Sequence, residues 1–416
     1  MPKPRIFYGW YIVGASFLLI ILDGLLLYSF GVFLPFLEKD FNISRAIGSS
    51  IFAFRSVVLA FSLTIAGRLV DRYDPRVVVF SGGVIAALGL LMSSVATSAW
   101  HLYITYGLLI GLGDGVLYIT CVAIVSRWFI KKRSFVIGLI TTGIPLSGFI
   151  VPPLTEWLIT TFGVREAFVW LALIFTATLT SSFILRSNPQ NMNLKAYGEE
   201  PREAHTGGPS HFEEASWSLT EAIRTSVFWI MYAIYSFGFL TFLIVVIHLF
   251  SYVVDSGIPT NRAAFAPAFI GIGSIVGRVI ITGYVTEVLR SERVLFLCFL
   301  LQGVSIVLIL LVKEIWSFYL FGIMFGIFYS GWVPIFPHIL GNFFGLNSLG
   351  SIYGFFGTSF CLAAVSGPLI AGYIYQKTGS YHYAFSLTIA FCLVAAISTF
   401  MIRTPSRSNK VRRTSP

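Results

Sequence analysis

Apolar runs of about 20 residues or more, separated by short breaks of charged residues, Pro or Gly, recur along almost the whole chain. The runs are continuous rather than alternating, so they predict helices, and a helix of about 20 apolar residues crosses a bilayer. They fall near 9–35, 47–66, 77–97, 101–125, 135–160 and 167–185, then near 226–251, 264–285, 294–312, 316–337, 350–375 and 382–402. The fold expected is an all-α membrane protein of twelve transmembrane helices in two six-helix halves. An outer-membrane barrel is excluded, because its strands would alternate apolar and polar positions. One long polar stretch interrupts the pattern: Arg186 to Arg224, with Glu199, Glu200, Glu203, Glu213 and Glu214, has the composition of a linker. The expected division is therefore 1–186, a linker at 187–224, 225–403 and a basic tail at 404–416. Ser218-x-x-Glu221 is a capping-box pattern and predicts a short helix leading into the seventh span.

Composition sharpens this picture. Of 416 residues 56% are hydrophobic and only 11% charged, and the mean hydropathy is +0.84. A soluble domain carries about a quarter charged residues, so soluble enzymes, nucleic-acid-binding domains and disordered chains drop out. The basic start Lys3/Arg5 precedes a run too long for a signal peptide and without a small-residue cleavage site, so an uncleaved first span is expected. Cys121, Cys298, Cys361 and Cys392 lie inside apolar runs with no metal spacing and read as small packed hydrophobes.

The net charge of +10 is mostly topology. With the N-terminus inside, the inner segments hold 20 Lys and Arg residues and the outer segments 6, leaving Arg55 and Arg278 within spans. Basic residues favour the cytoplasmic side, so both termini are expected there, in a plasma (cell inner) membrane, with the basic tail touching anionic lipid. The expected surroundings are a lipid bilayer and no nucleic acid, and the chain is expected to be monomeric.

The halves repeat. Ala167-Phe168 opens the sixth span and Ala384-Phe385 the twelfth, with Arg186 and Arg403 at the same separation beyond and Pro189 and Pro405 after each. Gly67 to Arg72, after the second span, has a weaker echo in Gly283 to Val288 after the eighth. Two six-helix halves in parallel repeat are an architecture of alternating-access transporters, and receptors and channels have no need of it.

The stretch Gly67-Arg68-Leu69-Val70-Asp71-Arg72-Tyr73-Asp74-Pro75-Arg76 resembles the loop signature G-x-x-x-D-R-x-G-R-R of the major facilitator superfamily. It matches at Gly67, Asp71, Arg72 and Arg76, and departs at Asp74 and Pro75. The resemblance implies the major facilitator fold and a conformational latch at this loop, where an acid at a helix end meets basic groups and helix dipoles. Trp128-Phe129-x-Lys131-Lys132-Arg133, running into Gly138 and Gly143, is similar to the fourth-to-fifth-span signature of monocarboxylate transporters and oxalate/formate exchangers. Phe228-Trp229, His248, Asp255-x-Gly257 and Gly277-Arg278 resemble that branch's seventh and eighth spans.

Four ionisable residues are placed at membrane depth: Asp23, Arg55, Asp114 and Arg278. Each costs roughly 2.5–3.5 kcal/mol at a helix centre and needs a partner or an aqueous cavity. Arg278 has no acid within a helical turn, only Ser274, Ile275, Ile281 and Thr282, and a guanidinium so placed suits a carboxylate held by two parallel hydrogen bonds. The competing reading pairs it with Asp23 or Asp114 across the half interface. The resemblance implies an anion-binding arginine here; many animal members place an aspartate one turn before it, where this chain has Ser274. Oxalate exchangers add a lysine in span 11, but Ser351 to Tyr375 holds no Lys or Arg, which favours a monoanion such as lactate, pyruvate or acetate. Asp23 and Asp114 are proton-coupling candidates, with Arg55 as the partner that either one would otherwise hold permanently. Asp114 lies in Gly111-Leu112-Gly113-Asp114-Gly115, where close helix packing is the simpler reading. His248, by resemblance, lends a hydrogen bond or a proton, or is a satisfied interface histidine. Tyr118 and Tyr329 reach a substrate hydroxyl or anchor packing. The family's site helices add Leu27, Ile144, Phe360 and Cys361 as an apolar lining.

The resulting expectation is a carrier of a small monocarboxylate, coupled to protons and working by rocker-switch alternating access. An anion exchanger of oxalate/formate type and a proton-driven exporter of another small molecule stay open. No cluster has catalytic or metal-ligand spacing, so no enzyme, metal or cofactor is expected.

Overall fold

The structure is a computed structural model that describes residues 7–192, 194–198, 217–281, 285, 289–345 and 349–402; within these, the side chains of Thr64, Gly67, Arg68, Val70, Asp71, Arg133, Ser134, Asn191, Val279 and 349–351 lie outside the description. The first half comprises α1 (Gly9–Phe41), α2 (Arg45–Arg72), α3 (Pro75–Ser94), α4 (Ala99–Trp128), α5 (Phe135–Phe162) and α6 (Val164–Ile184). The second comprises α7 (Ser226–Asp255), α8 (Phe265–Ile280), α9 (Ser291–Leu311), α10 (Ile315–Phe344), α11 (Leu349–Thr378) and α12 (His382–Thr399). Eleven of these, all but α8, are long and apolar enough among the described residues to cross a membrane. Among the described residues no strand forms.

The termini of the helices obey local chemistry. Ser44 caps α2 by accepting from the Ile47 N–H at 3.3 Å, and Asp74 caps α3 by accepting from the Arg76 N–H at 2.9 Å, with Pro75 in the first turn. The expected capping box is present: Ser218 and Glu221 satisfy each other's backbone N–H, and the turn Leu219–Ala222 leads to α7. Residues 199–216, most of the expected linker, lie outside the described residues, as do 403–416 and all of the 283–288 echo except Val285. The linker's two ends are docked. Tyr197 takes backbone hydrogen bonds from Ile130 and Lys131 and gives one to the Trp128 carbonyl, while Trp217 N–H donates to the Phe344 carbonyl. Phe7 packs its ring against Trp128, Phe129 and Tyr197. The Trp128-Phe129 pair thus anchors the linker to the first half.

One feature of α4 is invisible to hydrophobic periodicity. Residues Tyr103–Ile110 are π-helical, and the wider turn rotates everything after it relative to an uninterrupted α-helix. The π segment carries Tyr106 into α1, where its hydroxyl donates to the Leu26 carbonyl at 3.0 Å. Asp114 follows directly.

The halves are clamped at the face of the bundle opposite the one where α1 starts. Arg45 of α2 reaches Asp255 of α7 at 3.4 Å and the Tyr381 hydroxyl, just before α12, at 2.7 Å. Phe36 stacks on Phe250, and Gly372 packs against Ser49 and the Arg45 carbonyl. A Cβ at Gly31 would lie 2.9 Å from the backbone carbonyls of Val246 and Ile247, so α1 and α7 touch through their main chains. Toward the other face, Gly14, Gly138, Gly354 and Gly357 each border open space. Replacing Gly31 by Ala therefore forces the far-face ends apart. Spin labels on that face of the two halves should report a longer distance in Gly31→Ala; an unchanged distance would show that the clamp does not depend on this contact.

Large apolar side chains also cover the outside. Trp100, Trp157, Trp170 and Trp316 are exposed near the far-face ends of their helices and Trp229 near the opposite end, the two belts expected at bilayer interfaces.

Candidate functional site

Arg278 is held where α8 is pressed between helices of both halves. Gly271 meets the α5 backbone at Pro145 and Gly148, while Gly273 and Gly277 meet the α10 backbone at Ile323 and Ile327. Glycine is needed there because any Cβ would strike main-chain atoms. Arg278 Nη1 donates to the Thr141 hydroxyl of α5 at 3.3 Å, a contact between the halves. Among the described residues its buried Nε has no partner, and no carboxylate lies within ion-pair distance. The guanidinium acts electrostatically on the hydroxyls of Tyr28, Tyr118, Tyr329 and Tyr353, two from each half. Tyr329 stacks on Phe242 with centroids 3.8 Å apart, and the Tyr353 hydroxyl lies 3.1 Å from that of Tyr235. Phe360 packs edge-on against Phe239. Leu27, Ile144 and Cys361 are half-buried on α1, α5 and α11.

A second cluster lies within the first half. Arg55 Nη2 donates to Asp114 Oδ2, with Arg55 2% and Asp114 1% exposed. The carboxyl of Asp23, which is half-buried, interacts electrostatically with that of Asp114 and with Arg55. Arg55, not Arg278, is therefore the partner of Asp114. Two ionised carboxylates facing one guanidinium carry a net charge of −1, and their mutual repulsion is relieved when one of them binds a proton. Asp23 acts electrostatically on Tyr28 and Tyr118 as well, so these two tyrosines feel both the acid cluster and Arg278.

His248 is fully buried and engaged at both nitrogens, with Tyr381 and with the Pro368 carbonyl, so it joins the far-face clamp. A further buried acid, absent from the four expected, is Glu156 of α5, 4% exposed and with Oε1 lacking a partner among the described residues.

The model of the Major Facilitator Superfamily matches residues 16–291 and, again, 271–415. The chain belongs to the Major Facilitator Superfamily. Its similarity to named members of the superfamily lies among the monocarboxylate transporters. It is 28% identical to monocarboxylate transporter 13 of Rattus norvegicus over 394 residues, covering 94% of this chain and 87% of that one. It is 25% identical to monocarboxylate transporter 2 of Homo sapiens over 410 residues, covering 95% and 85%. A solved bacterial homolog of the human lysosomal transporter Spinster, inward-facing and unoccupied, shares the fold with a TM-score of 0.74 at 14% identity, covering 97% of this chain and 98% of that one. The chain is thus a multi-pass membrane transporter of this superfamily.

Of the superfamily's loop signature, the side chains of Gly67 and Asp71 lie outside the described residues, and Arg72 is exposed. Arg76 turns to the residue that departs from the signature: its Nε and Nη2 reach the Asp74 carboxylate at 3.0 and 2.6 Å. These bonds hold the Asp74 carboxyl below its usual range. A folded value below the unfolded one, about 3.9, contributes stability that is complete above the unfolded value and lost as pH falls through the folded one. Asn caps as well as Asp, and both charged groups are more than a third exposed, so Asp74→Asn should cost only about 0.2–1 kcal/mol, the worth of an exposed ion pair. Melting curves of the purified protein should show a small deficit at neutral pH that closes in acid; a deficit of equal size at both would reject the carboxylate's role.

Tyr28, Thr141 and Tyr353 have no distinguishing sequence signal. Tyr28 and Tyr353 were legible only as aromatics inside spans, and Thr141 as one of several small polar residues after the Lys131-Lys132-Arg133 turn.

Proposed function

We propose that the chain carries a small monocarboxylate together with a proton across the plasma membrane by alternating access. The observation that carries this reading is Arg278: a guanidinium between the halves, with a buried Nε that has no partner among the described residues and no described acid within ion-pair distance. A half-buried cation in this state is stabilised by an anion, and two parallel N–H donors fit a carboxylate. The Tyr28, Tyr118, Tyr329 and Tyr353 hydroxyls offer further hydrogen bonds, and Leu27, Ile144, Phe360 and Cys361 lie on helices that line the half interface, where a short carbon chain fits. Lys377, the one basic residue of α11, is exposed at the far-face end of that helix, so Arg278 meets its ligand without a second cation from α11. That favours one carboxylate over two.

The interaction between Asp23 and Asp114 favours proton coupling over simple anion exchange. Arg55 compensates one carboxylate; the other is neutral only when a proton is bound. Asp23, the half-buried member, is the group that loads and unloads. An anion and a proton moving together transfer no net charge. The distribution of Lys and Arg favours a cytoplasmic position for the α1-start face, and with that orientation a closed far face corresponds to an inward-facing state. The two halves, 1–186 and 225–403, rock about Arg278 with 187–224 as the connector and 404–416 as a cytoplasmic tail.

The test is uptake of labelled lactate into proteoliposomes under an imposed inward proton gradient. Uptake that collapses when the gradient is dissipated supports symport. Uptake indifferent to the gradient but stimulated by preloaded anion makes the protein an exchanger, and no flux in either mode rejects lactate and calls for a wider anion screen.

A further inference from the structure

The far-face clamp contains a hydrogen-bond chain with a single possible direction. His248 Nε2 lies 3.1 Å from the Pro368 carbonyl oxygen, which can only accept, so Nε2 carries a hydrogen. Nδ1 lies 2.8 Å from the Tyr381 hydroxyl. In the neutral ring Nδ1 is then the acceptor, and Tyr381 donates to it. The Tyr381 oxygen in turn accepts from Arg45 Nη1 at 2.7 Å. The chain runs from Arg45 of the first half through Tyr381 and His248 to α11 of the second, and it closes only with an uncharged imidazole.

A second proton on His248 breaks that order. Nδ1 then donates, and the Tyr381 hydrogen is left to find another acceptor in a buried setting, where an unmade hydrogen bond is costly. The new charge also faces Arg45. The other charged or titratable groups around it are Glu38 from α1, Tyr252 and Asp255 from α7 itself, Tyr375 from α11, and Tyr381 and His382 at the start of α12. The two acids are already bound to Arg45, whose guanidinium also lies 4.4 Å from the Tyr375 ring centroid. No described acid is free to receive an imidazolium.

We propose that His248 is a second proton-binding site, separate from Asp23, whose protonation releases the Arg45–Tyr381 seal and opens the interface between the halves toward the far face. Acid on that side would then favour the state that faces it, so the proton gradient would set the gate as well as drive the cargo. The proposal rests on the reading that the far face is extracellular.

Ser49 offers a probe. Its side chain is fully buried against Gly372 of the other half and bonds the Arg45 carbonyl at 2.8 Å, so Ser49→Cys is shielded while the seal holds. Labelling of this cysteine in the full-length protein by a membrane-impermeant maleimide is compared between the otherwise wild-type chain and His248→Gln at each pH, with the Ser49 chain as background. Because thiolate content falls equally in both, the ratio isolates the seal. The ratio should rise about threefold or more between about pH 7.5 and about pH 5.5, the range in which the imidazole titrates once an opened seal has exposed it to water. Tyr381→Phe, which keeps the ring and removes the hydroxyl, should be labelled faster at neutral pH and lose the response. A flat ratio, or a pH response that survives in both variants, overturns the proposal. Labelling confined to the cytoplasmic side in inverted vesicles rejects the orientation instead, and the ratio measured there still decides the switch.

Discussion

Arg278→Ala should abolish saturable uptake of labelled lactate into proteoliposomes, while leaving a folded, monodisperse protein. Truncating one partner of a buried, hydrogen-bonded charge pair costs about 2–5 kcal/mol, or roughly 30-fold to several thousand-fold in affinity. The folded protein loses little by comparison, because Arg278 makes one described side-chain hydrogen bond, to Thr141, and no ion pair with a described acid. Arg278→Lys is the sharper variant. It keeps the charge but replaces a planar fork of donors with a single ammonium on a flexible stem. It should therefore retain weak uptake with a raised KM, and carboxylates should lose their advantage over other small anions. Wild-type KM in Arg278→Ala would remove the arginine from the binding site and leave the tyrosines without a charged anchor.

The twelve spans and the division into halves could be read from hydrophobic runs because apolar length is what a bilayer demands. What could not be read is which faces meet. Arg278 was singled out by the absence of an acid on its own helix, and local spacing suffices for that. The partnership of Asp114 with Arg55 depends on α2 and α4 crossing, and on a π-helical segment at Tyr103–Ile110 that shifts the register of α4. His248 carried a resemblance to a site residue, yet its geometry is set by Pro368 and Tyr381, more than a hundred residues away in sequence. Glu156 lies inside the expected fifth span, 135–160, but no local spacing marks it, and its burial depends on how α5 packs against its neighbours. Thr141 and Tyr28 are ordinary residues in the sequence and become notable only where α1, α5 and α8 converge.

Asp23→Asn should separate transport from its driving force. Asn keeps the size and hydrogen-bonding reach of the carboxyl but cannot release a proton, so the cluster with Asp114 and Arg55 stays permanently neutral, as if loaded. Counterflow of labelled lactate against unlabelled lactate requires only the loaded carrier to cross and should persist. Accumulation driven by a pH gradient requires the proton to leave and should fall to the equilibrium level. Asp114→Asn has a different signature. It removes the acid bound to Arg55 and leaves a guanidinium that is 2% exposed without its partner, a change that costs about 3–5 kcal/mol for buried pairs. That variant should lower the melting temperature and yield before any kinetic effect can be assigned to it. The two aspartates are thus told apart by stability on one side and coupling on the other. Gradient-driven accumulation at the wild-type level in Asp23→Asn would take the proton off this cluster, and anion exchange would then be the better account of the same arginine.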